Sequence, residues 1–248
     1  NWGCRDVSDA SDHGTGGIGE RLAAVRARIV VAAVRAGRDP ADVTLVAVSK
    51  THPPQALREA ITAGVTALGE NRVQEAVAKV SEVGRTPEWH LIGALQTNKA
   101  RQAVATFDVI HSVDRVELGR ALSTHGAALG KRCRVLVQVN VTGKETQGGV
   151  SPDRLEALLH DLAGLPGIDL DGLMCIAPDV AEVGGVEGTR PAFKQVSSRW
   201  RELAGFARDH GHSWHHLSMG MTGDFEVAIE EGATLVRVGR AIFGDRST

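Results

Sequence analysis

Lys50 closes the run Leu45-Val46-Ala47-Val48-Ser49-Lys50 and is followed at once by His52-Pro53-Pro54. An amine at the end of a short apolar segment is poorly solvated, and as a nucleophile it can add to an aldehyde to form a Schiff base. Taken alone, such a lysine is more simply read as one that snorkels to the surface from a strand end. Two later stretches add a second kind of chemistry. Ser218-Met219-Gly220-Met221-Thr222-Gly223-Asp224 and Arg237-Val238-Gly239-Arg240 both stand where a strand gives way to a helix, and they offer hydroxyls and free backbone amides of the sort that receive phosphate. Helix capping would account for Ser218 or Thr222 singly. Two such turns together favour an anion site, with Gly239 permitting close approach of the backbone.

Other reactive residue types point away from metal or thiol chemistry. His215 and His216 are adjacent, so on a strand they face opposite sides, and neither has a carboxylate or cysteine at a ligand-like spacing. Cys4, Cys133 and Cys175 have no metal-type spacing, and their odd number fits reduced thiols. His90 reads as a core or supporting residue, and Glu70 and Asp224 as members of ion pairs. The glycines from Gly14 to Gly19 spell a dinucleotide pattern, but no strand precedes them.

These residues need elements to bring them together. Leu22, Val25, Ile29 and Ala33 share one helical face, giving a leading helix that ends at Gly37. The segment to Val48 reads as a strand buried on both faces, and the two prolines suit the start of the next helix. Strand and helix then alternate. Further strands are expected at Val65 to Leu68, Trp89 to Gly93, Phe107 to Ser112, Arg134 to Asn140, Leu170 to Ile176, Trp214 to Ser218 and Thr234 to Val238. A helix opens at Asp114, another at Ser151, one long helix spans Arg190 to His210, and a seventh covers Asp224 to Glu231. Eight such repeats in 248 residues predict a single (β/α)8 TIM barrel over residues 18–248 with a leading N-terminal helix, ahead of an open doubly wound sheet. Residues 1–17 read as a disordered tail. Strand ends of a barrel converge on one mouth, which would gather Lys50, Glu70, Asn71, His90, Gly93, Asn140, Met174, Ser218 and Arg237.

Composition limits the functional classes. With aromatics at only 4%, the barrel interior is expected to be filled by Val, Leu, Ile and Ala. A net charge of −2 with interspersed signs and no basic run argues against nucleic-acid binding. No apolar run has membrane-spanning length and the start lacks a signal-peptide core, so a cytoplasmic protein with no membrane contact is expected.

Five ordered motifs carry a resemblance: Ala47-Val48-Ser49-Lys50-Thr51; Gly69-Glu70-Asn71-Arg72-Val73-Gln74-Glu75; Trp89-His90-Leu91-Ile92-Gly93-Ala94-Leu95-Gln96-Thr97-Asn98-Lys99; Leu217-Ser218-Met219-Gly220-Met221; and Val236-Arg237-Val238-Gly239-Arg240-Ala241-Ile242-Phe243-Gly244. From about residue 20 onward the chain resembles the pyridoxal phosphate homeostasis proteins, whose barrel is like the alanine racemase N-terminal domain. Ala94 and Arg72 depart from that pattern, where the family often has proline and tyrosine. The resemblance implies pyridoxal 5'-phosphate (PLP) as cofactor, with Lys50 holding it as an internal aldimine and Arg237 facing the pyridine nitrogen. It further implies that Gly239, Arg240 and the turn Ser218, Gly220, Met221 and Thr222 hold the phosphate, and that Asn71 lines the ring. No catalytic residue and no metal is implied.

Three functions compete. The resemblance implies a carrier that buffers PLP and passes it to apo-enzymes in transient contacts, as a monomer or weak dimer. A PLP-dependent racemase with weak activity is the alternative, and a Schiff-base aldolase of sugar phosphates is the third. Racemases of this fold set a tyrosine from a second domain opposite the lysine. This chain has no tyrosine, and no second domain is expected after the eighth strand. Whether Asp179 to Gly188 forms a lid over the mouth is left open by the sequence.

Overall fold

The computed structural model describes residues 16–244. The tail expected over residues 1–17, Cys4 included, lies outside the described residues except for Gly16 and Gly17. Eight strands form a closed, wholly parallel barrel in sequence order: β1 (Thr44–Val48), β2 (Ala67–Glu70), β3 (Glu88–Leu91), β4 (Val109–Val113), β5 (Cys133–Val139), β6 (Ile168–Cys175), β7 (His216–Ser218) and β8 (Leu235–Val238). Closure is made by β8 lying against β1, with Val46 opposite Arg237. A closed parallel sheet needs helices on its outer face. These are α1 (Ile18–Arg35), α2 (Pro54–Thr62), α3 (Val73–Val83), α4 (Ala100–Thr106), α5 (Val116–Ala128), α6 (Leu155–Ala163), α7 (Arg190–Glu202), α8 (Ala204–Asp209), α9 (Phe225–Glu230) and α10 (Arg240–Phe243). The expected single (β/α)8 barrel with a leading helix is the fold observed.

Several boundaries differ from the sequence reading for identifiable reasons. The second strand begins at Ala67 because Gly64, at φ +98, and the Val65 N–H, bonded to Ala60 O at 2.9 Å, are spent ending α2. The long helix expected from Arg190 to His210 breaks at Leu203. Trp214 Nε1 donates to Trp200 O at 2.8 Å and so takes the carbonyl that the next helical turn would use. Trp214 itself sits at φ +54, which delays β7 to His216. For the same reason His215 and His216 do not diverge: both rings reach Asp171, at 3.1 and 3.7 Å. Asp114 does not cap α5; it pairs with Arg115, the residue in the cap position.

Alternation along each strand divides the barrel into two environments. Ala47, Leu68, Trp89, Leu91, Ile110, Val135, Val137, Leu173, Leu217 and Val236 face outward into one large apolar shell beneath the helices. Inside, the apolar cluster is small: Val46, Ala67, Val109, Leu136, Met174 and Leu235. The rest of the lumen is polar, which corrects the expectation of an aliphatic filling. Arg134 on β5 reaches Glu88 on β3 at 2.5 Å, and His111 on β4 reaches Ser218 on β7 at 3.0 Å. Contacts between strands that are not neighbours can only cross the lumen.

Helix α1 fastens the end of the barrel to its beginning. Arg28 pairs with Glu226 at 2.6 Å while lying over the Phe225 ring, and Arg38 donates to Ile229 O and Ala233 O, both at 2.8 Å. Arg21 Nε donates to Ile242 O at 2.7 Å, which holds α10.

On β6 the pairing with β5 shifts register between Val135 and Leu136, opposite Gly172. The extra residue lets Asp171 and Met174 both face the lumen. Gly172 has φ +137, and a Cβ there would lie 1.7 Å from His216 O. Gly172→Ala is therefore expected to destabilise the fold by about 2–4 kcal/mol through combined backbone strain and overpacking. A lowered urea midpoint with an unchanged slope checks this; a midpoint within error of the parent would refute it.

Candidate functional site

The chain turns immediately after β1. His52 N–H donates to Ser49 O at 3.1 Å, and Thr51 takes φ +68, an uncommon conformation for a β-branched residue. Three contacts hold the turn from behind: Ser49 Oγ donates to Glu70 Oε1 at 2.6 Å, Lys79 Nζ to Ser49 O at 2.7 Å, and the Thr51 N–H to Glu75 Oε1 at 2.6 Å. Lys79, buried on α3, also donates to Glu70 Oε1 and Glu75 Oε1, each at 2.7 Å. Glu70 was expected at the mouth, but its place in the alternation points it outward beneath α3. Burial raises the Glu70 carboxyl above its ordinary pKa, opposed by the hydrogen bonds from Lys79 and Ser49.

Lys50 projects from this clamped turn, half-buried, into a cavity of about 960 Å³ at the carboxyl ends of the strands. Among the described residues no carboxylate pairs with its ammonium group. Arg237, on the neighbouring strand, faces the same cavity and is 3% exposed. Its Nη1 donates to Ser218 Oγ at 2.6 Å and its Nη2 to Cys175 O at 2.9 Å. Both partners are neutral, and no carboxylate among the described residues lies within 4.0 Å of the guanidinium. Burial lowers its pKa, opposed by Cys175 and Asp224. A buried cation held only by neutral oxygens keeps spare donors for an acceptor that enters the cavity.

Of the nine expected site residues, the cavity brings together Lys50, Asn71, Met221, Thr222, Arg237, Gly239 and Arg240. Ser218 is not on the wall: it faces the lumen behind Arg237. Gly220 is also set back. It has φ +89, its carbonyl accepts the Arg237 N–H at 3.0 Å, and a Cβ there would lie 2.6 Å from Ala228 Cβ, so it serves the packing of α9. The Met221 N–H is taken by Asp224 Oδ1 at 2.6 Å, which leaves Thr222 and Gly223 as the turn presented to the cavity. Burial raises the Asp224 carboxyl, opposed by that same amide and by Arg237. At Gly239 a Cβ would stand 3.1 Å from Val48 O, so the missing side chain lets the β8–α10 turn lie against the end of β1, next to Lys50. The amides of Arg240 and Ala241, in the first turn of α10, have no intrahelical acceptor.

The remaining residues expected at the mouth lie elsewhere. Gly93 passes beneath Asn71, where a Cβ would meet Asn71 O at 2.3 Å. His90 is deep in the lumen and Met174 is in its apolar cluster. Asn140 spends its amide within its own loop, on Lys144 O and Gln147 O at 2.9 Å. That loop contributes Thr142, Lys144 and Gln147 to the wall, none of them anticipated. Lys144 bonds Glu182 at 2.7 and 2.5 Å across to the Gly-rich segment, whose Asp179 and Val180 also line the cavity. His111 was missed as well, although its even spacing from Val109 marks it as inward-facing. Among the described residues no group of three potential ligands could hold a metal ion, and no helix is long and apolar enough to cross a membrane. Cys133 and Cys175 are buried free thiols, pushed up to about 12 by burial.

A parallel barrel with an unpaired lysine after its first strand and an arginine on its last defines a class. Residues 21–247 match the family "Alanine racemase, N-terminal domain". Within that class the chain belongs to the pyridoxal phosphate homeostasis protein family. It is 44% identical over 230 residues to the family's protein from Pseudomonas aeruginosa, covering 92% of this chain and 96% of that one, and 42% identical over 228 residues to that from Aquifex aeolicus. The solved structure of PipY from Synechococcus elongatus with PLP bound superposes with a TM-score of 0.79 at 40% identity, over 92% of this chain and 100% of that one. Alanine racemase from Corynebacterium glutamicum, at 20% identity and a TM-score of 0.65, shares the fold.

The clamp behind Lys50 yields a test. Lys79→Met leaves Glu70 and Glu75 without their cation and is expected to destabilise the fold by about 3–5 kcal/mol at pH 8. A carboxyl whose folded pKa is raised favours the folded state as pH falls, and without Lys79 that rise is larger. The gap between variant and parent should therefore narrow from pH 8 toward pH 5, the direction that favours protonation of Glu70. Urea titrations at the two pH values check it, and a gap that widens in acid would contradict the assignment.

Proposed function

We propose that this protein binds pyridoxal 5'-phosphate covalently through Lys50, buffers it and passes it to apo-enzymes, without efficient turnover of its own. The observation that carries the reading is one cavity faced by Lys50 and Arg237 from the ends of adjacent strands, neither paired with a carboxylate among the described residues. When bound, the cofactor supplies an aldehyde that condenses with an amine.

The residues fit that group by the chemistry of their donors. Lys50 presents its Nζ from a turn fixed by Lys79, so the amine is positioned before any ligand arrives. Arg237 offers only N–H donors, so a ring nitrogen facing it accepts a hydrogen bond and stays unprotonated. The amides of Gly239 and Arg240 and the Thr222-Gly223 turn suit the phosphate; Ser218 and Gly220, expected to share that role, are set back from the cavity wall. Asn71 borders the ring. The carrier role, as against catalysis, is supported by the names of the relatives and by the lack of tyrosine in these 248 residues.

Two experiments test this reading. Borohydride reduction of the loaded protein should fix the label on Lys50 alone, and Lys50→Ala should lose the visible absorbance while keeping its urea midpoint. Label on Lys99 or Lys144 would overturn the assignment, and racemisation of an amino acid at roughly 1 per second or faster would favour an enzyme. Gly239→Val should push the turn away from Val48 and weaken retention of PLP at least about tenfold, with less effect on unphosphorylated pyridoxal. Equal weakening of both would show that Gly239 serves packing only.

A further inference from the structure

The polar side chains inside the barrel form a chain with a single direction. Arg237 Nη1 donates to Ser218 Oγ at 2.6 Å, and because a guanidinium has no acceptor, Ser218 must accept there. The Ser218 hydroxyl proton then has one described partner, His111 Nδ1 at 3.0 Å. His111 Nδ1 is thereby bare and its Nε2 carries the proton, which points at His90 Nδ1, 2.8 Å away. His90 Nδ1 is bare in turn, and its Nε2–H reaches Glu88 Oε2 at 3.0 Å. Glu88 can only accept: the His90 hydrogen bond, with Arg134 at 2.5 Å, holds its carboxyl down to about 2. One end of the chain cannot accept and the other cannot donate, so every proton between them is directed.

The reverse arrangement leaves a buried proton stranded. An imidazolium at His90 would donate from both nitrogens and turn His111 over, so that His111 Nδ1–H also points at Ser218 Oγ. The serine proton would then lie in a closed lumen with no described acceptor, and a further cation would stand between Arg134 and Arg237. Burial, with the Arg237 guanidinium close by, pushes the His111 pKa well below its ordinary value, in keeping with the neutral ring.

We propose that Ser218, His111, His90 and Glu88 form a positioning chain that holds Arg237 for the cofactor ring and couples it to the amino-terminal end of the barrel, with both histidines as neutral Nε2–H tautomers. The proposal rests on the reading of Arg237 as the ring's partner. None of the four lines the cavity, so none touches the ligand. Glu88, about a third exposed at the far end, is the chain's contact with solvent.

Glu88→Gln tests the chain at its far end. Arg134 claims the amide oxygen, so the amide N–H group turns toward His90 Nε2, which must give up its proton. Nitrogen-15 imidazole spectra of the unloaded protein at pH 7 should show Nε2–H for His90 and His111 in the parent and Nδ1–H for both in Glu88→Gln. The dissociation constant for PLP should rise roughly fivefold in Glu88→Gln, about the scale of one compromised hydrogen bond. Ser218→Ala cuts the link, so in that background Glu88→Gln should change PLP retention by less than about twofold. An Nδ1–H or charged His111 in the parent would overturn the proposal, even if Glu88→Gln fails to fold. Unchanged retention in Glu88→Gln, or an equal change in the Ser218→Ala background, would also overturn it. If the parent binds no PLP at all, the functional reading fails, while the imidazole spectra still decide the direction of the chain.

Discussion

A guanidinium buried at the top of a closed barrel sets the terms for the interior. Arg237 is 3% exposed and has no carboxylate within ion-pair distance among the described residues. Burying a charge without hydrogen bonds is prohibitive, so its terminal nitrogens must find oxygens. They find Ser218 Oγ and Cys175 O. Ser218 then needs an acceptor, and that need passes from strand to strand through His111 and His90 to Glu88, where Arg134 and Asp171 complete the set. A parallel barrel can be filled by aliphatic layers alone. Here six apolar side chains pack the lumen and a connected polar column runs through the remainder, in which Ser218, His111, His90 and Glu88 each have a partner while the buried Nδ1 of His216 beside them has none among the described residues.

Outside the lumen the same principle governs Lys50. Its own amine has no carboxylate partner among the described residues, but the backbone on either side is restrained by Lys79, Glu70 and Glu75. The strained φ of Thr51 persists because the Glu75 carboxylate fixes its amide. The other side of the cavity is of a different kind. Thr142, Lys144 and Gln147 belong to a loop organised by Asn140, and its link to the Gly-rich segment is an exposed ion pair, Lys144–Glu182. Exposed pairs of this type contribute little stability. The cavity thus combines a rigid floor carrying the reactive groups with a wall whose closure is weakly held.

The sequence was most legible where chemistry and strand ends coincide. Lys50, Arg237 and Gly239 are each tied to a short apolar run, and the run predicts where they emerge. Eight repeats were enough to read the barrel. Ser218 was misplaced because a strand-end hydroxyl looks the same whether it faces the mouth or the lumen; the register of β7 decides, and Trp214 at φ +54 shifts it. Glu70 was misplaced by one step of alternation. Lys79 gave no local signal, since a lysine on a helix reads as solvated unless the helix is known to cover two carboxylates. His90 and His111 are 21 residues apart and meet only when adjacent strands pair, so their contact is a property of topology.

On the reading proposed above, the arrangement around Arg237 also bears on how a site would hold a cofactor more readily than use it. Enzymes that exploit the full electron-withdrawing power of a pyridinium place a carboxylate at the ring nitrogen to keep it protonated. An arginine cannot do so, because it has no lone pair to accept that proton. The polar column strengthens this choice: with His111 Nδ1 already accepting from Ser218, no nearby side chain in the chain of hydrogen bonds can relay a proton up to the ring through Arg237. A ring left unprotonated stabilises a carbanion poorly, and amino-acid chemistry then depends on well-placed proton donors on both faces. Lys50 can serve one face. On the loop wall Thr142 and Gln147 are not acids or bases near neutral pH and Lys144 is engaged with Glu182, while His52, Asp179 and Asp224 are further titratable side chains lining the cavity. In that same reading the anchoring groups stand at strand ends, Lys50 half-buried and Arg237 buried, while other titratable side chains of the cavity, such as His52 and Asp179, sit on loops.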